Sequence, residues 1–204
     1  MLVKVIGVVI GVVLVAESPN PFPTRSTKAP QPKAAALILA SAKDQYRRGA
    51  TYDPAYVKIG YPRGDVAADR GVCTDVVIRA LRAAGYDLQK LIHEDMKAGR
   101  FSSYPRRERR PDPNIDHRRV PNQIYYFGRF GKSLTRVVSA KTLDQWKPGD
   151  IVYWKFDNGI DHCGIVSDEK TPSGLPLVIH NLGGVHHDDV LTAWKITGHF
   201  RFPK

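Results

Sequence analysis

Gly71-Val72-Cys73-Thr74-Asp75-Val76-Val77-Ile78-Arg79-Ala80-Leu81 carries a cysteine at the point where a loop becomes a helix. Val76, Val77, Ala80, Leu81 and Ala84 recur at helical spacing, and Gly85 supplies a stop just past the last turn. Cys73 is therefore expected in the first turn of a buried helix, where free backbone N–H groups and the positive end of the helix dipole favour the thiolate. The competing interpretation is a small apolar residue at a helix start, since unpaired cysteine is often buried. A histidine elsewhere in the chain decides between the two.

Outward from this helix the pattern is helical first and strand-like afterwards. Ala34 to Arg48 is rich in alanine and leucine and stops at Gly49; Leu88, Leu91, Ile92 and Met96 share a face that ends at Gly99; Val120, Ile124 and Phe127 predict a further helix with Pro121 near its start. Tyr52 to Arg70 has no period and reads as a structured loop. Short β-rich runs follow at Thr135–Ser139, Ile151–Phe156, Cys163–Ser167, Leu177–His180 and Thr197–Phe202, separated by Pro-Gly, Asp-Asn-Gly and Pro-Ser-Gly turns. This order predicts an α+β domain with its helices packed on a small antiparallel sheet. From Arg100 to Arg119 seven arginines meet Glu108, Asp112 and Asp116 among three prolines. Such a segment is either a solvated basic loop or a cleft wall whose guanidinium groups hold carboxylates or phosphates.

Two of the seven histidines stand at strand ends, His162 opening one strand and His180 closing the next. Antiparallel strands joined through the Thr171 to Pro176 turn bring these two rings within reach of each other. A helix-start cysteine, a histidine base and a polar group orienting that base form the generalised catalytic triad. The alternation of strand side chains also bears on Cys163. With His162 facing the cleft, Cys163 is expected to point to the other side of the sheet, away from Cys73, which disfavours a Cys73–Cys163 disulfide.

The totals set broader bounds. The 204 residues suffice for one domain with a core, and 42% hydrophobic with 25% charged residues is a globular composition. A net charge of +11 and a pI near 9.7 attract polyanions, whether nucleic acid, anionic lipid or cell-wall polymer. The Arg-rich segment lacks interleaved aromatics, which argues against nucleic acid. Lys4 followed by the apolar run Val5 to Ala16 reads as a signal peptide over 1–16, or as an N-terminal anchor if Leu14 prevents cleavage after Ala16. Residues 17–33, with five prolines, read as a tether, and 34–204 as the folded domain. The expected place is periplasmic or secreted, with membrane contact only through an uncleaved N-terminus.

Cys73 at a helix start, Lys147-Pro148-Gly149-Asp150-Ile151-Val152-Tyr153-Trp154, His162-Cys163-Gly164-Ile165-Val166 and Val178-Ile179-His180 together resemble the NlpC/P60 superfamily of papain-like cysteine peptidases. More narrowly, Tyr61-Pro62-Arg63-Gly64-Asp65-Val66, Gly71-Val72-Cys73-Thr74-Asp75, His93-Glu94-Asp95-Met96, the run from Pro111 to Asn122 and Ile196-Thr197-Gly198-His199-Phe200-Arg201-Phe202 resemble DUF1287, a bacterial family of unassigned role.

The resemblance implies a papain-like fold and a thiol hydrolase acting on peptidoglycan stem peptides as a monomer, without metal or cofactor. Cys73 would be the nucleophile, His162 the base and His180 its orienting partner. A tyrosine upstream of the cysteine would assist the oxyanion, Tyr61 first and Tyr56 second. Asp75, Asp116, His117, Arg106, Arg107, Arg118 and Arg119 would contact substrate, and the insertion near 100–119, with His93, Asp95, Asp116 and His117, would form a lid. Two other readings compete. His180, His186, His187, Asp188 and Asp189 have zinc-compatible chemistry without a compact spacing. A silent module could also dock on cell-wall polymer through its arginines.

Overall fold

The computed structural model describes residues 33–106 and 108–204. The expectations for 1–16, for the tether as far as residue 32 and for Arg107 fall outside the described residues. Helix α1 (Ala34–Arg48) turns Ile38, Leu39, Ala42 and Gln45 inward, and its chain leaves at Gly49 with φ at 69°. A two-residue strand β1 (Thr51–Tyr52) pairs in parallel with β2 (Arg70–Gly71), which leads directly into α2 (Cys73–Ala83). Helices α3 (Leu88–Asp95) and α4 (Val120–Phe130) complete the helical layer, α4 carrying Pro121 in its first turn, where the missing N–H costs no helix bond.

Strands β3 (Lys132–Ser133), β4 (Ile151–Lys155), β5 (Asp161–Lys170), β6 (Pro176–Asn181), β7 (Val185–Asp188) and β8 (Lys195–Arg201) pair antiparallel in the order β3-β8-β4-β5-β6-β7. The result is the α+β architecture that the periodicity predicts. Period-2 alternation divides the sheet into two faces. Ile151, Tyr153, Cys163, Ile165 and Ile179 pack under the helices with Val77, Leu81, Leu88 and Phe127. Val152, Trp154, Val166 and Val178 pack on the other face against Trp146 and Leu191, with Val190 and Trp194 alongside. Both faces being covered explains why Ile151-Val152-Tyr153-Trp154 is apolar throughout rather than alternating. Each large side chain so buried contributes roughly 1.5–3 kcal/mol.

Two sheet expectations need correction. Thr135–Ser139 is not a strand. Pairing with β8 occurs at Lys132 and Ser133 and lapses after Leu134, and beyond it the Val137 carbonyl accepts from Thr142 Oγ1 at 2.7 Å and Trp146 Nε1 at 3.3 Å. Strand β7, made of Val185-His186-His187-Asp188, lacks the apolar content that marks a strand and owes its form to pairing with β6. The Lys147-Pro148-Gly149-Asp150 turn is held by Asp150, whose buried carboxylate takes a fork from Arg201 at 2.7 and 2.8 Å and contacts His199 at 3.1 Å.

Candidate active site

The segment entering α2 is fixed from several sides. The Gly71 carbonyl accepts from Asp53 N–H at 3.0 Å and from the Asn181 side-chain amide at 3.1 Å. Gly71 has φ at 153°, and a Cβ there would stand 2.9 Å from Asp75 Oδ2, so only glycine admits that carboxylate. Asp75 accepts from Val72 N–H at 2.7 Å, closing the start of the helix. It also takes Arg118 Nε at 2.9 Å and Nη2 at 2.8 Å in a fully buried fork.

The two histidines come from the adjoining strands. His162 Nε2 lies 2.9 Å from His180 Nδ1, both rings are buried, and their planes meet at 89°. Trp154, Phe156 and Trp194 surround the pair. Gly164 makes the packing possible. A Cβ on it would meet Val178 Cγ1 at 2.6 Å, the Ile179 carbonyl at 2.9 Å and His180 Cβ at 3.1 Å. Burial first, then the neighbouring His162 and His186, pulls His180 down to about 3, so this ring is neutral. Its Nε2 is buried and has no hydrogen-bond partner among the described residues, with Asp188 Oδ2 3.8 Å away.

The sulfur of Cys73 is drawn down to about 5. A hydrogen bond from the Cys163 thiol is the largest cause; His162, by hydrogen bond and charge, and the Cys163 backbone N–H add to it against the cost of burial. Burial and then Cys73 push Cys163 well up, so Cys73 carries the charge and Cys163 keeps its proton. Neither cysteine is in a disulfide among the described residues. The alternation argument about Cys163 is thus corrected, because Cys163 faces the helical layer and reaches Cys73 itself. The helix start lies over the beginning of β5, where side chains at 162 and 163 both arrive at one sulfur.

A cleft of about 270 Å³ opens at this point, with Tyr52, Cys73, Arg106, Arg119 and Asp161 in its walls. Arg118 also borders it but is committed to Asp75. Another hollow of about 320 Å³ lies behind α2, where Arg79 and Arg82 both bind Asp65 and so brace the segment before Cys73.

Several expected site residues lie elsewhere. Tyr56 donates its hydroxyl to Asp112 at 2.9 Å, and Tyr61 packs on His93, so neither borders the cleft; Tyr52 does, and burial followed by the charges of Cys73 and Cys163 raises its phenol. Asp75 is an internal brace rather than a substrate contact. Asp116 is buried and accepts from Asp112 N–H at 2.6 Å, burial pushing its carboxyl to about 6. His117 is buried and neutral, pulled down to about 3 by burial and then by Arg118 and Arg82. Among the described residues no group of three His, Cys, Asp or Glu could hold a metal; His180 turns to His162 and His187 to Tyr46. Sequence reasoning misses Tyr52 and Asn181, whose only signals are closeness in sequence to Gly49 and to His180.

Residues 39–202 match the family described as domain of unknown function DUF1287. The uncharacterized protein YijF of Escherichia coli (strain K12) is 52% identical over 168 residues, covering 81% of this chain and 80% of that protein. Two crystal structures of an N-acetylmuramoyl-L-alanine amidase from Bacteroides uniformis ATCC 8492 share the fold at 14% identity. Their TM-scores are 0.55 and 0.51, over 84% and 82% of this chain and 99% and 97% of theirs.

Proposed function

The chain belongs to the DUF1287 family, and on that footing we propose that it is an exported cysteine amidase of the NlpC/P60, papain-like kind that opens an amide bond in peptidoglycan. The observation carrying this reading is the meeting of Cys73, His162 and His180 at one point, with the sulfur's charge favoured and His180 neutral. The fold shared with amidase structures supports the substrate class. The run Val5 to Ala16 behind Lys4 supports export.

His162 Nε2 is engaged with His180, which leaves Nδ1 for the sulfur. Nδ1 takes the Cys73 proton, and the thiolate attacks the amide carbon. Carbonyl electrons move to oxygen, where the Cys73 backbone N–H, unspent at a helix start, and the Tyr52 hydroxyl meet the charge. Each well-aimed donor of this kind lowers the barrier by about 3–4 kcal/mol. Collapse breaks the C–N bond, and Nδ1 hands its proton to the departing amine. Water, deprotonated by the same nitrogen, then splits the thioester to a carboxylate and restores the thiol.

Mass spectrometry of purified muropeptides incubated with the protein tests this. Wild type should yield products heavier by one water in total, and Cys73→Ala should yield none, a loss of roughly 10⁴-fold or more. Equal products from both proteins would overturn the reading. Unchanged muropeptides, with binding to intact wall retained in both, would favour the silent docking module.

A further inference from the structure

One wall of the cleft is built from an irregular loop that presents two arginines, Arg106 and Arg119. Arg106 is clamped through its backbone by the fully buried side chain of Asn122, whose Oδ1 accepts from Arg106 N–H at 3.0 Å and whose Nδ2 donates to the Arg106 carbonyl at 2.6 Å. Among the described residues its guanidinium meets no carboxylate. Arg119 sits at the cap of α4, its side chain 24% exposed and its Nε buried with no hydrogen-bond partner among the described residues. Among the described residues it pairs with one carboxylate, Glu108 Oε1 at 2.7 Å, on a side chain that is 63% exposed. The other charges at the cleft are spent, Arg118 on Asp75 and Asp161 on Lys155 at 2.6 Å. Among the described residues, the cleft beside Cys73 therefore presents one cation without an ion-pair partner, Arg106, and one paired to a solvent-exposed, replaceable anion, Arg119.

We propose that this wall is a carboxylate-binding subsite, in which Arg106 and Arg119 take a free carboxylate of the substrate and Glu108 occupies Arg119 until that carboxylate arrives. The inference rests on the amidase reading and adds its substrate class, an acylated peptide with an ionised carboxyl group close to the amide that is cut. A guanidinium fork matched to a carboxylate discriminates strongly against a carboxamide, which brings no charge and turns N–H donors toward the donors of arginine. Exchange of one carboxylate for another also keeps the desolvated Arg119 paired throughout binding, so the cost of uncovering it falls away.

The test uses N-acetylmuramoyl-L-alanine and N-acetylmuramoyl-L-alaninamide, which differ only in carboxylate against carboxamide and carry no other carboxyl group. Calorimetric titration into Cys73→Ala protein reads the subsite without chemistry, and kcat/KM with wild type reads it with chemistry. The carboxylate compound is expected to bind about 10–100-fold more tightly, as a charge-assisted pair implies. Arg119→Gln should collapse that ratio toward one, and Arg106→Gln should reduce it. Glu108→Gln should raise it several-fold, because the competitor is gone. Equal binding of the two compounds, or a ratio unmoved by Arg119→Gln, overturns the subsite. If Glu108→Gln lowers the ratio, Glu108 is a loop fastener and the exchange is wrong. Preferential binding without turnover by wild type would sink the amidase reading and leave the subsite standing.

Discussion

The neighbours Arg118 and Arg119 stand on the same loop and border the same cleft, but they do opposite work. Arg118 and Asp75 are each 3% exposed in a forked pair, which ties the insertion to the first turn of the helix bearing Cys73. Arg119 pairs with a solvent-exposed Glu108 through one contact. The difference lies in what would be left behind if the partner were lost. An uncompensated charge in the interior is costly, whereas a surface charge returns to water. One pair therefore acts as structure, and the other remains free to exchange its anion.

Removing the first partner should produce the largest stability effect. Arg118→Ala is expected to cost about 3–5 kcal/mol in urea unfolding because Asp75 stays buried and unpaired. Arg119→Ala should stay within about 1 kcal/mol. Similar losses for both would break the contrast. The strand wall offers a sharper counterpart in Gly164→Ala, whose new methyl would press on the Ile179 carbonyl at 2.9 Å and His180 Cβ at 3.1 Å. A shift of that kind separates His162 from His180 and should lower kcat by roughly 100-fold with the fold retained. Circular dichroism alongside kinetics separates the two readouts.

The two walls also differ in how far a single sequence reveals them. On the strand side, alternation and the turn between β5 and β6 suffice to bring His162 to His180, since register follows from local pattern. On the loop side, nothing local says that Asp75 will meet Arg118, separated by 43 positions, or that Tyr56 will turn to Asp112 while Tyr52 borders the cleft. Irregular backbone has no period to read. Cys163 shows where even the strand argument stops. Alternation puts Cys163 on the face opposite His162, but it does not say which face the start of α2 covers; that is a tertiary fact, and it brings Cys73 to Cys163 where the sequence argument kept them apart.

Cys163 makes that lesson measurable. With Cys73 drawn down to about 5, activity should rise as pH climbs through that value, because the thiol is inert below it and the thiolate reacts above it. Cys163→Val removes the S–H donor and should move this acid limb upward by about one unit, equivalent to about 1.4 kcal/mol. Cys163→Ser keeps a donor and should hold the limb near the wild-type position. Ultraviolet titration of the thiolate gives the same quantity without substrate. Identical limbs in all three proteins would remove Cys163 from the electrostatics of the site.

The smallest effect concerns the far end of the strand wall. Once His162 carries protons on both nitrogens, its Nε2–H donates to His180 Nδ1, so neutral His180 must hold its own proton on Nε2. Among the described residues that nitrogen is buried and unpartnered, and Asp188 Oδ2 lies 3.8 Å away, on a side chain 49% exposed and equally close to His186 Nδ1. A slight approach by Asp188 would complete the chain of donors and fix the tautomer. Because the carboxylate is exposed and distant, Asp188→Ala should reduce kcat only about 2–5-fold, and Asp188→Asn, which keeps an acceptor, less. In a His180→Asn background there is no ring tautomer to fix, so the Asp188 effect should vanish. The same loss in both backgrounds would mean that Asp188 merely supports β7, and that the strand wall ends at His180.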